Sequence, residues 1–124
     1  MKEKLFFVLS ALAVWACKAV ENSNTALRIH NGNDFDIDSV YVVAATDAHQ
    51  YETVPANESS DYHMFDEIYR YEYIRAVVNE KEYIWQPVDY VGETPLSSAN
   101  YTYRLVIDTT QETYSGIGLK LIKD

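Results

Sequence analysis

From Ala26 onward the chain alternates apolar and polar residues. A period of two belongs to strands with one buried face, not to helices. Leu27 and Ile29 alternate with Arg28 and His30 and predict a first strand. Asn31-Gly32-Asn33-Asp34 is a turn cluster. Val40 to Ala44 is a β-branched run that reads as a central strand, and Gln50 to Val54 and Ser60 to Met64 are shorter candidates flanking Pro55-Ala56-Asn57. Tyr71 to Val78 predicts a long strand, and Asn79-Glu80 reverses it tightly into Glu82-Tyr83-Ile84-Trp85, forming a hairpin. Pro87 to Asn100 is a loop. Tyr101 to Ile107 alternates again, and a last strand runs from about Tyr114 to Ile122, with Ile117, Leu119 and Leu121 on one face.

Seven to eight short strands without a helix predict an all-β fold, a two-sheet immunoglobulin/fibronectin-like sandwich. Ala99 to Leu105 adds a local cue, because it resembles the tyrosine corner of such sandwiches. Tyr101 would be the corner residue, bonding back to the preceding loop, and Tyr103 would occupy the core position that is cysteine in antibody domains. Strand order is not readable from the pattern, so barrels and transthyretin-like sandwiches stay open.

The first residues follow another rule. Met1-Lys2-Glu3-Lys4 is net positive, Leu5 to Ala16 is apolar apart from Ser10, and the small residue Ala16 precedes Cys17, the chain's single cysteine. This is the pattern of a cleaved secretory signal peptide. The apolar run is shorter than the roughly 20 residues a membrane-spanning helix needs. Val14-Trp15-Ala16-Cys17 resembles the bacterial lipobox, although Trp15 stands where a small residue is usual. Ordinary cleavage near Ala16 or Ala19, giving a secreted protein without lipid, is the competing reading. In the lipoprotein reading residues 1–16 are the signal peptide, 17–25 a lipidated tether and 26–124 the folded domain. Acyl chains on Cys17 would hold the protein on a membrane, since two or more chains anchor firmly. Lys18, in place of an inner-membrane retention aspartate, favours the outer membrane by the same resemblance.

Composition narrows the possible partners. The 124 residues carry a net charge of −9. Removing Lys2, Lys4 and Glu3 with the leader leaves 8 basic against 18 acidic residues, a net charge of −10. Such a surface repels phosphate backbones, which argues against a nucleic-acid partner. With no second cysteine, the domain forms no internal disulfide and depends on its apolar core.

Candidate chemistry is sparse. Asp34, Asp36 and Asp38 alternate like the start of a calcium loop, but the glycine and acidic residue required further on are Ser39 and Ala45. A calcium site at the end of the sandwich stays open. His30, His49 and His63 lie in separate segments, without metal-ligand spacing, and read as strand-surface or loop residues. No GxSxG elbow is present, and serines sit in turn-like contexts. The expectation is therefore no enzyme, no cofactor and no metal. Tyr69, Tyr71 and Tyr73, with Tyr83 and Trp85 on the partner strand, are the candidate ligand-binding residues. A shared face of such rings would stack on a glycan or hold a peptide, and the plainer alternative is that they fill the core.

Gln86 to Leu96, followed by Tyr101-Thr102-Tyr103 and joined to the leader and the stretch Asp36 to Val42, resembles the small uncharacterised lipoproteins of Bacteroidota. The leading functional reading is a binding or structural role in the envelope, with an envelope protein or glycan as partner; the resemblance itself implies an envelope location and a β-sandwich, and no activity. It implies no functional residue beyond Cys17.

Overall fold

The computed structural model describes residues 25–87 and 94–124. The leader, Cys17 and most of the tether lie outside the described residues. In chain order the strands are β1 (Thr25–Asn31), β2 (Ser39–Val43), β3 (Ala48–Tyr51), β4 (His63–Phe65), β5 (Tyr73–Val78), β6 (Lys81–Trp85), β7 (Asn100–Ile107) and β8 (Ile117–Lys123). They form two four-stranded sheets, ordered β4-β1-β7-β8 and β3-β2-β5-β6. The expected all-β sandwich is present.

Alternation places the core between the sheets. Leu27 and Ile29 of β1, Val40 and Val42 of β2, and Tyr103 and Leu105 of β7 are all fully buried. Leu119 and Leu121 pack against this core from the outermost strand, β8, as the shared face of the last strand predicts. The hairpin between β5 and β6 turns through Asn79 (φ 50) and Glu80 (φ 69). Two positive φ values are what a two-residue hairpin loop requires to match the twist of its strands. The tyrosine corner is also formed: the Tyr101 hydroxyl donates to the Ser97 carbonyl at 2.8 Å, and the ring is buried.

The strand order departs from the immunoglobulin arrangement. There the first two strands share a sheet. Here β1 and β2 lie in different sheets, and β1 runs parallel to β7. This wiring sends the first two strands to opposite layers. Its cause is the segment 31–38, which carries the chain across the sandwich and is held by two buried asparagines. Asn31 Nδ2 donates to the carbonyls of Phe35 (2.7 Å) and Val54 (2.9 Å). Asn33 Oδ1 accepts the N–H of Ile107 at 2.9 Å. These bonds pair the polar backbone groups that a buried crossing would otherwise leave unpaired.

The same segment carries the alternating acids. Ile37 is buried and pairs with Val54. Asp36 accepts the N–H of Ala56 at 3.0 Å and Asp38 that of Asn79 at 2.9 Å. Both carboxylates pin turns, and no three metal-ligating side chains converge among the described residues.

Candidate ligand-binding cleft

The loop between β4 and β5, residues 66–72, is tied down at several points. Ile68 is fully buried, and its carbonyl accepts the N–H of Leu96 at 2.8 Å. The carbonyl of Tyr69 accepts the hydroxyl of the buried Tyr103 at 2.6 Å. These anchors set a cleft of about 400 Å³ lined by Val43, Ala44, Ala45, Tyr69, Glu72 and Tyr73. That volume lies in the range of small-molecule sites, about 300–1,000 Å³.

Glu72 is the unusual member, a carboxylic acid only 2% exposed. Its Oε2 accepts the N–H of Tyr69 at 3.1 Å. Burial dominates its acidity, pushing the pKa up to about 7 against the opposing effect of that hydrogen bond, and the charge of Glu67 pushes the same way. Glu67 also accepts the phenol proton of Tyr69, which raises the Tyr69 pKa. Near neutral pH Glu72 is thus divided between a carboxylate that accepts hydrogen bonds and an acid that also donates one. A desolvated ionisable group lining a cleft is a recognised mark of a functional site.

Of the five aromatic residues singled out in the sequence, Tyr69 and Tyr73 line this cleft. The expected single face of rings is not formed. The register pairs Ala76 with Tyr83 and Ile74 with Trp85, so both rings share the inward face of β5, whereas Tyr73 belongs to its outward positions. Tyr83 is buried, and its hydroxyl donates to the Thr109 carbonyl at 3.2 Å. Trp85 packs partly buried against the core, its buried indole N–H without a hydrogen-bond partner among the described residues. Tyr71, half-buried, precedes β5. The plainer alternative, core filling, therefore describes Tyr83 and Trp85. Glu72 escaped the sequence reading. Its one signal was a carboxylate inside a tyrosine-rich stretch, and burial is what distinguishes it from its neighbour Glu67.

A second concavity, about 550 Å³, is lined by Phe35, Asp36, Asp38, Asn79, Lys81 and neighbours. Its polar groups are engaged in the fold: both aspartates pin turns, and Lys81 Nζ donates to the Gln111 carbonyl at 2.8 Å.

No family model and no curated protein matches the chain. Among solved structures it is similar to an NMR structure of a protein from Eubacterium rectale, with a TM-score of 0.53 at 8% identity. The match covers 84% of this chain and 91% of that one. At that identity the likeness speaks to the fold alone.

Proposed function

We propose that the protein is an envelope lipoprotein, anchored through acyl chains on Cys17, whose sandwich domain binds a neutral glycan in the cleft of Tyr69, Glu72 and Tyr73. The observation that carries the binding reading is a buried carboxyl group between two tyrosines in a cleft of ligand size. Phenol rings offer apolar area with a polar tip, which suits the C–H faces of a sugar ring. A carboxyl able to donate and accept suits its hydroxyls. The net charge of −9 disfavours anionic ligands and points to an uncharged one. The reading is one of binding: among the described lining residues Glu72 is the carboxyl, and the neighbouring Glu67 is engaged by the Tyr69 phenol. Cellobiose, maltose and chitobiose, titrated separately to millimolar concentration, test this by amide NMR. The expected result is saturable shifts at Ala44, Ala45, Tyr69 and Tyr73 with at least one of them. Tyr73→Ala should then weaken binding by about 1 kcal/mol, roughly fivefold. Flat titrations with all three sugars would remove the glycan reading.

Anchoring has its own test, motivated by the lone cysteine closing a short apolar leader. Cys17→Ser should abolish incorporation of labelled palmitate and release the domain from membranes. Equal labelling of variant and wild type would contradict lipidation.

A further inference from the structure

Four rings close one side of the sandwich. On β3, His49 pairs with Val42 and Tyr51 with Val40, which places both rings at inward positions beside core valines. On β4, His63 pairs with Leu27 and Phe65 with Thr25, again facing inward. The two strands belong to different sheets. His49 and His63 nevertheless stack face to face across the gap, 3.8 Å between centroids and 8° from parallel. Tyr51 meets His49 edge-on and Phe65 meets His63 edge-on, each at 4.6 Å.

This stack is tied to the cleft through Asp47. Nε2 of His63 donates to Oδ2 of Asp47 at 3.2 Å. The same residue holds the turn between β2 and β3: its carbonyl accepts the N–H of Ala44 at 2.8 Å, and its Oδ1 accepts that of Ala48 at 2.8 Å. Ala44 and Ala45, in that turn, wall the cleft.

We propose that Asp47, His63 and His49 form a proton-operated latch, which holds the turn of residues 44–47 closed against the cleft while at least one ring is neutral and opens that wall when both are protonated. The proposal deepens the binding reading and rests on it for the cleft's use. Charge arithmetic supports it. Asp47 accommodates one imidazolium through its hydrogen bond to His63. A second positive charge on His49 would then face a like charge at stacking distance, in a site partly removed from water. Four influences act on His49: burial and His63 disfavour its protonation, whereas Asp47 and Glu52 favour it. The first pair prevails, so the His49 pKa lies below its ordinary value. The phenol of Tyr51 stays neutral, donating to the Leu27 carbonyl at 2.6 Å. Opening thus falls on the acid side of the imidazole range.

Amide hydrogen exchange on the full chain tests the latch without any ligand. Rates are compared at about pH 7.5 and about pH 5, after correction for intrinsic chemistry. The expected result is a loss of protection of tenfold or more at the lower pH in β3, β4 and residues 44–47, taken relative to β5 and β7, whose protection follows the stability of the whole domain. His49→Phe keeps a ring in the stack without a charge, and should abolish that loss. Unchanged protection in the wild type, or the same loss in His49→Phe, overturns the latch. If that variant does not fold, NMR titration of the wild-type His49 ring decides: it should protonate below the ordinary imidazole range, and an ordinary titration of that ring overturns the proposal. Exchange that responds to pH while no sugar binds at any pH would leave the latch standing and remove the glycan reading instead.

Discussion

Tyr101→Ala is expected to destabilise the domain by about 3–5 kcal/mol, the range for a buried aromatic truncated to alanine. The ring is 3% exposed and belongs to the core between the sheets. It lies on β7, which pairs with both β1 and β8, so a cavity there loosens the centre of its sheet. Tyr101→Phe separates the hydroxyl from the ring. It removes the bond to the Ser97 carbonyl and the 3.2 Å contact with Ser97 Oγ. That change should cost only about 0.5–1.5 kcal/mol, with the upper end if the carbonyl stays buried and unpaired. A domain of this size is stable by about 5–15 kcal/mol, so the alanine variant should lie near its unfolding threshold while the phenylalanine variant remains folded. Urea unfolding of both measures the contrast. Midpoints and slopes equal to wild type would mean that the ring is not part of the core.

The corner was legible because its signal is local: a tyrosine opening an alternating strand after a turn-rich loop. The hairpin at Asn79-Glu80 and the inward face of Ile117, Leu119 and Leu121 were legible for the same reason. Strand boundaries at β3 and β4 were not. The candidate runs Gln50 to Val54 and Ser60 to Met64 became Ala48–Tyr51 and His63–Phe65. Short edge strands are fixed by one neighbour rather than by their own pattern. Sheet membership was hidden too, since it depends on Asn31 and Asn33 bonding to residues distant in sequence, such as Val54 and Ile107. The candidate site was half legible. Tyr69 and Tyr73 were named, but Tyr83 and Trp85 were placed beside them on spacing alone. Register decides faces in a sheet, and a one-residue offset between strands sends every ring to the other side. The histidine stack left no trace in the sequence. His49 and His63 read as separate strand-surface or loop residues, and only the closing of two sheet edges brings their rings together.

Glu72→Gln should make the domain more stable at alkaline pH and leave it unchanged in acid. A glutamate in the unfolded chain titrates near its model value of 4.5, whereas burial holds the folded pKa at about 7. Folding therefore favours the protonated acid. The stability it contributes is fully present below the unfolded value and is lost as pH rises towards the folded one. Across that interval of about 2.5 units the wild type forfeits roughly 3 kcal/mol, at about 1.4 kcal/mol per unit. Glutamine keeps the shape of the neutral acid and can still accept the N–H of Tyr69, but it carries no charge to desolvate. The difference between variant and wild type should be near zero at about pH 4 and approach roughly 3 kcal/mol at about pH 8. Taking that difference cancels the titration of His49 and the other groups common to both proteins. Urea unfolding at matched pH values gives the curve. A constant difference from acid to alkali would show that Glu72 titrates alike in the folded and unfolded chains, as a carboxylate open to water does, rather than as a buried acid. In that case the glycan would meet an ordinary surface carboxylate, without the hydrogen-bond donor that the binding reading requires.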